Sequence, residues 1–226
     1  MMRAIEFNQN LNPKLFRANS LRPEVKEKLI EIAKDFKEYC DIDFPIEDIQ
    51  VTGSQVSHHY TEESDLDLHL IVDYDKITCD RELEELFDTK RHLYEREYDI
   101  KIRGIPVGLY VENQATPGVS GGQYSVIRDQ WIREPKPFSG TVDTGLFKKH
   151  ISTWQKTIRQ VLGQNRVELA KKCLKSLRNY RKLGLKTTGE YGVENLVYKA
   201  LRRSGQLADL SDFVDQEHAR SLSISM

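Results

Sequence analysis

The stretch Leu66-Asp67-Leu68-His69-Leu70-Ile71-Val72 limits what this chain can become more than any other. Leu66, Leu68, Leu70 and Val72 alternate with Asp67, His69 and Ile71, and an extended strand turns successive side chains to opposite faces. One face is therefore apolar along its whole length, and Asp67 points the other way. A strand of this kind needs partner strands and a covering layer. The flanking sequence supplies both. Pro23 at a first helical position, followed by Val25, Leu29, Ile32, Ala33 and Phe36, predicts an amphipathic helix over 23–39. Residues 46–52 read as a short strand ended by Gly53-Ser54. Helical spacing returns over 80–97 through Leu83, Leu86, Phe87, Leu93 and Tyr94, with Asp80 as the cap. Two strands, 98–103 and 105–112, follow with only Gly104 between them, which predicts a tight hairpin.

Residues 113–140 are rich in turn formers, Pro117, Gly118, Gly121, Gly122, Pro135, Pro137 and Gly140, and read as a connecting loop pinned to the core by Tyr124 and Trp131. From Thr144 the pattern is helical. Leu146, Phe147, Ile151, Trp154, Ile158 and Val161 mark one apolar face, and Val167, Ala170, Cys173, Leu174 and Leu177 another. Shorter helices over 193–203 and 211–222 are divided by Gly205. Two domains are expected, 1–140 and 141–226.

Charge divides the chain in a similar way. Residues 1–142 hold 18 Lys and Arg against 27 Asp and Glu, a net of −9, whereas 143–204 hold 15 against 4, a net of +11. An acidic part that could gather metal and a basic part that could face phosphate suit a protein that handles nucleotides. No apolar run approaches the roughly 18 residues of a membrane span, and the N-terminus lacks the apolar stretch of an export signal. Cys40, Cys79 and Cys173 lie far apart in no metal-ligand spacing. A cytoplasmic protein with reduced thiols and no membrane partner is expected.

Chemistry concentrates in Val51-Thr52-Gly53-Ser54 and Ser64-Asp65-Leu66-Asp67. A Gly-Ser pair at a strand end lets backbone N–H groups and a hydroxyl approach phosphate oxygens. Asp-x-Asp at a strand start turns both carboxylates to one face, where they repel unless a cation lies between them. Mg²⁺, or Mn²⁺, takes such carboxylates together with substrate phosphates. His58, His59 and His69 do not form a zinc pattern, because adjacent histidines rarely chelate one ion and no cysteine is near.

Gly53-Ser54, a spacer, Ser64-Asp65-Leu66-Asp67 and a hydrophobic strand together resemble the signature of the DNA polymerase beta-like nucleotidyltransferase superfamily. Poly(A) polymerases, oligoadenylate synthases and aminoglycoside-modifying enzymes belong to it. The run Gly189-Glu190-Tyr191-Gly192-Val193-Glu194-Asn195-Leu196-Val197-Tyr198-Lys199 is similar to uncharacterised nucleotidyltransferase-like proteins of large tailed phages. The resemblance implies an α+β fold, with a nucleotidyltransferase-type mixed β-sheet flanked by helices and a C-terminal helical lobe. It implies a metal-dependent enzyme that moves a nucleoside monophosphate from a nucleoside triphosphate, ATP first, to a hydroxyl of an RNA, a protein or a small molecule. Asp65 and Asp67 would be catalytic and hold metal. Gly53, Ser54 and Ser64 would face the nucleotide, joined by Lys171, Lys175, Tyr191, Asn195 and Lys199 of the helical lobe.

One position departs from the pattern. Active members carry a third acid between hydrophobic residues on a later strand, and in Ile105-Pro106-Val107-Gly108-Leu109-Tyr110-Val111-Glu112 that context falls on Gly108. Glycine can neither bind metal nor accept a proton. Glu112 and Asp99 are the candidates to compensate. If neither does, the chain is a nucleotide-binding sensor or interaction module that has lost transfer chemistry. A third reading makes the basic helices a nucleic-acid surface.

Overall fold

The alternation over 66–72 is realised as a strand whose leucines and valine are fully buried and whose Asp67, His69 and Ile71 stay half-exposed. Around it the computed structural model describes residues 7–77, 82–114 and 121–224. The chain divides into two units, Met1–Phe138 and Ser139–Met226.

The first unit begins with the short strands β1 (Phe16–Arg17) and β2 (Ser20–Leu21), which pair with each other, and continues into α1 (Pro23–Cys40). It goes on through β3 (Ile46–Thr52), a 3₁₀ turn (Ser54–Val56), β4 (Leu66–Val72), α2 (Leu83–Glu97), β5 (Lys101–Ile102) and β6 (Ile105–Asn113). Two further strands, β7 (Gln123–Ser125) and β8 (Gln130–Arg133), complete it. The sheet has six strands in the order β5-β6-β4-β3-β7-β8, and only the β4–β6 pair is parallel. The architecture is therefore α+β with a mixed sheet. Helix α2 lies on the crossover between β4 and β6, as parallel neighbours require a long connection.

Leu66, Leu68, Leu70 and Val72 meet Ile49 and Val51 of β3, Leu109 of β6, and the buried stripes of α1 and α2 in one core. Phe36 and Tyr94 join the two helices edge to face at 5.2 Å, and Tyr94 donates to Asp35 at 2.5 Å. Helix α2 also covers the edge of β6 where β5 ends, since Leu109 N–H donates to Glu95 at 2.9 Å. A sheet edge that would otherwise offer an unpaired donor is thereby closed.

Several sequence expectations shift. The first arm of the hairpin is only β5, and the turn Arg103-Gly104, both with positive φ, makes the reversal. Residues 113–140 are not all loop, because β7 and β8 extend the sheet there. Tyr124 is buried, and Trp131 stacks on Phe16 at 5.4 Å while donating to Asn19 O. Leu93 is 47% exposed, since it lies off the stripe set by Phe87 and Tyr94. The expected cap Asp80, with Cys79, Pro117 and Gly118, falls outside the described residues. Cys40 and Cys173 are buried free thiols.

The second unit contains four helices among its described residues: α3 (Thr144–Gly163), α4 (Val167–Thr187), α5 (Val193–Arg203) and α6 (Gln206–Leu222). Asp143 caps α3 by accepting from Leu146 N–H at 2.8 Å. Helix α6 starts five residues before the sequence expectation of 211, directly after Gly205, which has φ +77. Leu146 is 39% exposed, and Phe147, Ile151 and Ile158 carry the buried face of α3. A side chain at Gly184 would strike Glu194, so α4 and α5 approach closely there. No helix among the described residues is long and apolar enough to cross a membrane.

Leu68 has no exposed surface and lies at the middle of the sheet. Leu68→Ala is expected to cost about 2–5 kcal/mol in urea unfolding. Leu183→Ala, at a site 62% exposed, is expected to stay within about 0.5 kcal/mol of the parent.

Candidate functional site

Strand register assembles the site. Thr52 of β3 lies opposite Asp67 of β4, and Asp67 lies opposite Gly108 of β6. The next row on the same face is Gln50, His69 and Tyr110, and the row after that is Asp48, Ile71 and Glu112. Because the opposite face holds the leucine core, this one is free to be polar.

Gly53 follows Thr52 with φ +81, a conformation that glycine adopts without strain. A side chain at 53 would collide with the Asp67 carboxylate, so glycine is required twice, for its backbone and for its missing Cβ. The Gly-Ser turn and the second aspartate, fourteen positions apart in sequence, thus touch in space. The loop between them is braced by Gln55, which is fully buried. Its Nε2 donates to Ser64 O at 2.7 Å and Thr61 O at 3.2 Å, and its Oε1 accepts from Asn12 at 2.6 Å. His58 donates to Asn8 O at 3.1 Å, and His59 pairs with Ser57 at 2.7 Å. Both histidines are buried parts of the loop.

Ser54 opens the 3₁₀ turn, with its carbonyl accepting from Ser57. Ser64 is buried, and its hydroxyl is engaged with Thr61 N–H at 3.1 Å and Thr61 Oγ1 at 3.0 Å. Asp65 precedes β4 directly. Both Asp65 and Asp67 act on the phenol of Tyr110: burial, then the two carboxylates, push its pKa up to about 12. Near neutral pH the group is a neutral hydroxyl.

Position 108 is open enough for a side chain. An added Cβ would lie 3.9 Å from Asp67 Oδ1, 3.6 Å from the Tyr110 ring and 3.8 Å from Tyr110 Oη, which are ordinary contacts. The phenol oxygen therefore borders the space that a third acid would fill. Tyr110 is held there by His69, stacked on it at 4.8 Å and 17°, and by Arg91, whose guanidinium sits over the ring at 5.1 Å. Arg91 is itself fixed by Asp88 at 2.6 Å and Glu95 at 3.2 Å. His69 spans the rows, with Nε2 2.9 Å from Thr52 Oγ1 and Nδ1 3.0 Å from Glu112 Oε1. The second contact is close but too poorly aligned to satisfy Nδ1 as a hydrogen bond.

Neither compensating acid reaches the row of Asp67. Glu112 is drawn to His69, which holds its carboxyl below the usual glutamate range. Asp99 is exposed and paired with Lys101 at 2.5 Å. Among the described residues no group of three or more His, Cys, Asp or Glu side chains is arranged to hold a metal ion. Two carboxylates alone suit a cation that brings most of its own ligands, as Mg²⁺ does with phosphates and water. A pocket of about 540 Å³ opens beside Tyr110 and Arg91, with Glu82, Glu84, Glu85 and Asp88 among its walls. Such a lining repels a bare polyphosphate.

The remaining expected contacts lie in the second unit. Lys171 and Lys175 are exposed on α4, with Lys171 3.3 Å from Glu168. Asn195 is buried, donating to Glu190 O at 2.6 Å and accepting from Arg181 at 3.2 Å, so its amide braces α4 against α5. Tyr191 is half-buried, and burial with the nearby Glu190 raises its phenol to about 12. Lys199 is half-buried near Arg181, Arg203 and Arg202, and desolvation with these like charges lowers it to about 7.

Spacing does not single out Tyr110, Arg91 or Gln55 as parts of the site, whereas it places His69 on the strand face of Asp67, where it could touch substrate. Period-two alternation with Gly108 was the one available signal for Tyr110. No protein-family model matches the chain, and no curated protein or solved structure matches it either.

Gly53→Ala is expected to destabilise the first unit by about 1–3 kcal/mol, and an unfolding midpoint equal to the parent's would mean that the turn tolerates a side chain. Lys199 provides a pH test. Its folded value, about 7 against 10.5, lies below the unfolded one, so the stability present above pH 10.5 is lost as pH falls toward 7. Lys199→Met is expected to flatten melting temperature against pH in that window, and an unchanged slope would count against a desolvated ammonium.

Proposed function

We propose that the first unit is a nucleotidyltransferase-type domain. It binds a nucleoside triphosphate with a divalent cation and transfers a nucleoside monophosphate to a hydroxyl. The observation that carries this reading is the contact of the Asp67 carboxylate with Gly53, in the same row as Gly108. A phosphate resting on the Gly53-Ser54 turn would meet that carboxylate at once, and two anions in contact need a cation between them. Asp65 and Asp67 would hold Mg²⁺ or Mn²⁺ with the phosphates, and the cation would neutralise charge on the departing pyrophosphate. The Gly53-Ser54 turn orients the phosphates. Ser64 and Gln55 keep the loop in one shape, and Thr52 and His69 bound the floor.

The helical second unit would act as a C-terminal lobe, with Lys171, Lys175, Tyr191 and Lys199 as its candidates for triphosphate or base. Asn195 would act through its brace on Arg181. The acceptor in this reading is a hydroxyl of an RNA, a protein or a small molecule, in a cytoplasmic setting.

A second reading is favoured by Gly108, with Glu112 committed to His69 and Asp99 to Lys101. The site would then bind nucleotide and signal without turnover. Incubation with labelled triphosphates and Mg²⁺ or Mn²⁺ separates the two. Transfer predicts pyrophosphate release that falls about 100-fold or more in Asp67→Asn, and Gly108→Asp is expected to raise transfer to added acceptors. Tight, metal-dependent triphosphate binding without pyrophosphate release would reject the enzyme and support the sensor.

A further inference from the structure

The row Thr52, Asp67, Gly108 lacks an acid on β6, yet the space beside Gly108 is not bare. Tyr110 Oη and Asp67 Oδ1 lie 3.8 Å and 3.9 Å from the same point, the Cβ that residue 108 does not have. The phenol is fixed there by the stacked imidazole of His69 and by Arg91, and Arg91 is fixed in turn by Asp88 and Glu95. A hydroxyl of the chain's own is thus held beside the carboxylates proposed to gather the nucleotide.

We propose that Tyr110 is an acceptor of this site, so that the protein places a nucleoside monophosphate on its own Tyr110 phenol oxygen. The inference rests on the nucleotidyl-transfer reading and names its acceptor. The Tyr110 Oη bond to the α-phosphorus forms, and the bond from that phosphorus to the oxygen bridging to the β-phosphate breaks. Pyrophosphate leaves with the electron pair, and the phenol proton is released to water. No oxidation state changes. The reactants are the triphosphate, its divalent cation and the protein.

Physical chemistry favours an internal acceptor here. A third acid would serve to activate a hydroxyl arriving from solution, and without one a bimolecular transfer is handicapped. A hydroxyl already in place avoids the entropy of bringing two partners together. For well-oriented groups this advantage corresponds to effective concentrations on the order of 10⁵ M or more. Thr52, a second hydroxyl in the row of Asp67, is turned to His69 Nε2 at 2.9 Å and is less suited to attack.

The test uses the full chain with ATP, GTP, CTP and UTP in turn, each with Mg²⁺ or Mn²⁺, read by intact mass, peptide mapping and pyrophosphate release. The expected result is one added nucleoside monophosphate on the peptide containing Tyr110, whether already present on isolation or gained on incubation. Tyr110→Phe keeps the ring against His69 and Arg91 and is expected to lower the adduct at least 100-fold. Asp67→Asn is expected to do the same. Pyrophosphate release with no adduct, an adduct on another residue, or an undiminished adduct in Tyr110→Phe would overturn Tyr110 as the acceptor and leave nucleotidyl transfer standing. Absence of both pyrophosphate and adduct with every triphosphate would overturn the transfer reading and this proposal together.

Discussion

The pairing of β4 with its two neighbours is the constraint on which the rest depends. Antiparallel register with β3 puts Thr52 beside Asp67, and parallel register with β6 puts Gly108 on the other side. A slip of one residue in either pair would turn the polar row into the leucine core. The fully buried Leu66, Leu68, Leu70 and Val72 therefore hold the site in place as firmly as they hold the fold. Each such side chain contributes about 1.5–3 kcal/mol on burial, so the register is secured by several large terms.

The same register explains why the loop between Gly53 and Asp67 is closed. Asp67 occupies the volume over Gly53, and the chain between them has to leave the sheet and return within one short circuit. Gln55, bridging Asn12, Thr61 and Ser64, and the Ser57–His59 pair satisfy polar groups that this loop buries. A buried glutamine with both ends bonded is costly to remove, because its partners would be left unmatched. The histidines that stand out in sequence are thus structural in the loop, and His69 alone lies on the open face of the sheet.

Much of the arrangement was legible because it follows from periodicity. Strand β3 has the bounds that spacing indicates, α1 ends one residue later than expected, and the burial of β4 alternates as its leucines require. Local pattern fails where pairing does the work. Strands β7 and β8 are three and four residues long, and Gln123, Ser125, Gln130 and Arg133 give them little apolar signal. Their place comes from Gln50 opposite Ser125 and from Tyr124 against the core, which are long-range facts. Gly53 and Asp67 were linked by motif, but their collision distance is a property of the turn. Tyr110 was invisible as a site residue because a tyrosine in a strand reads as packing. Its phenol matters only once Gly108 leaves the space open and His69 and Arg91 fix the ring.

Positions 108 and 110 are coupled for this reason. Both lie on the polar face of β6, one pleat apart, and the Tyr110 ring already makes contact with the point from which a side chain at 108 would grow. A carboxylate there would extend toward the phenol and Asp67, into a region where two aspartates already disfavour further negative charge. The present pair, glycine with a neutral phenol, relieves that repulsion at the cost of a proton acceptor. An acid at 108 with Tyr110 retained would restore the acceptor only if a cation drew the three carboxylates together or the ring gave way. Displacing the ring would break its stacking on His69 and its contact with Arg91, so the two arrangements are alternatives more than additions. The glycine is best understood together with the tyrosine two residues later, as one solution to how much charge this row can hold.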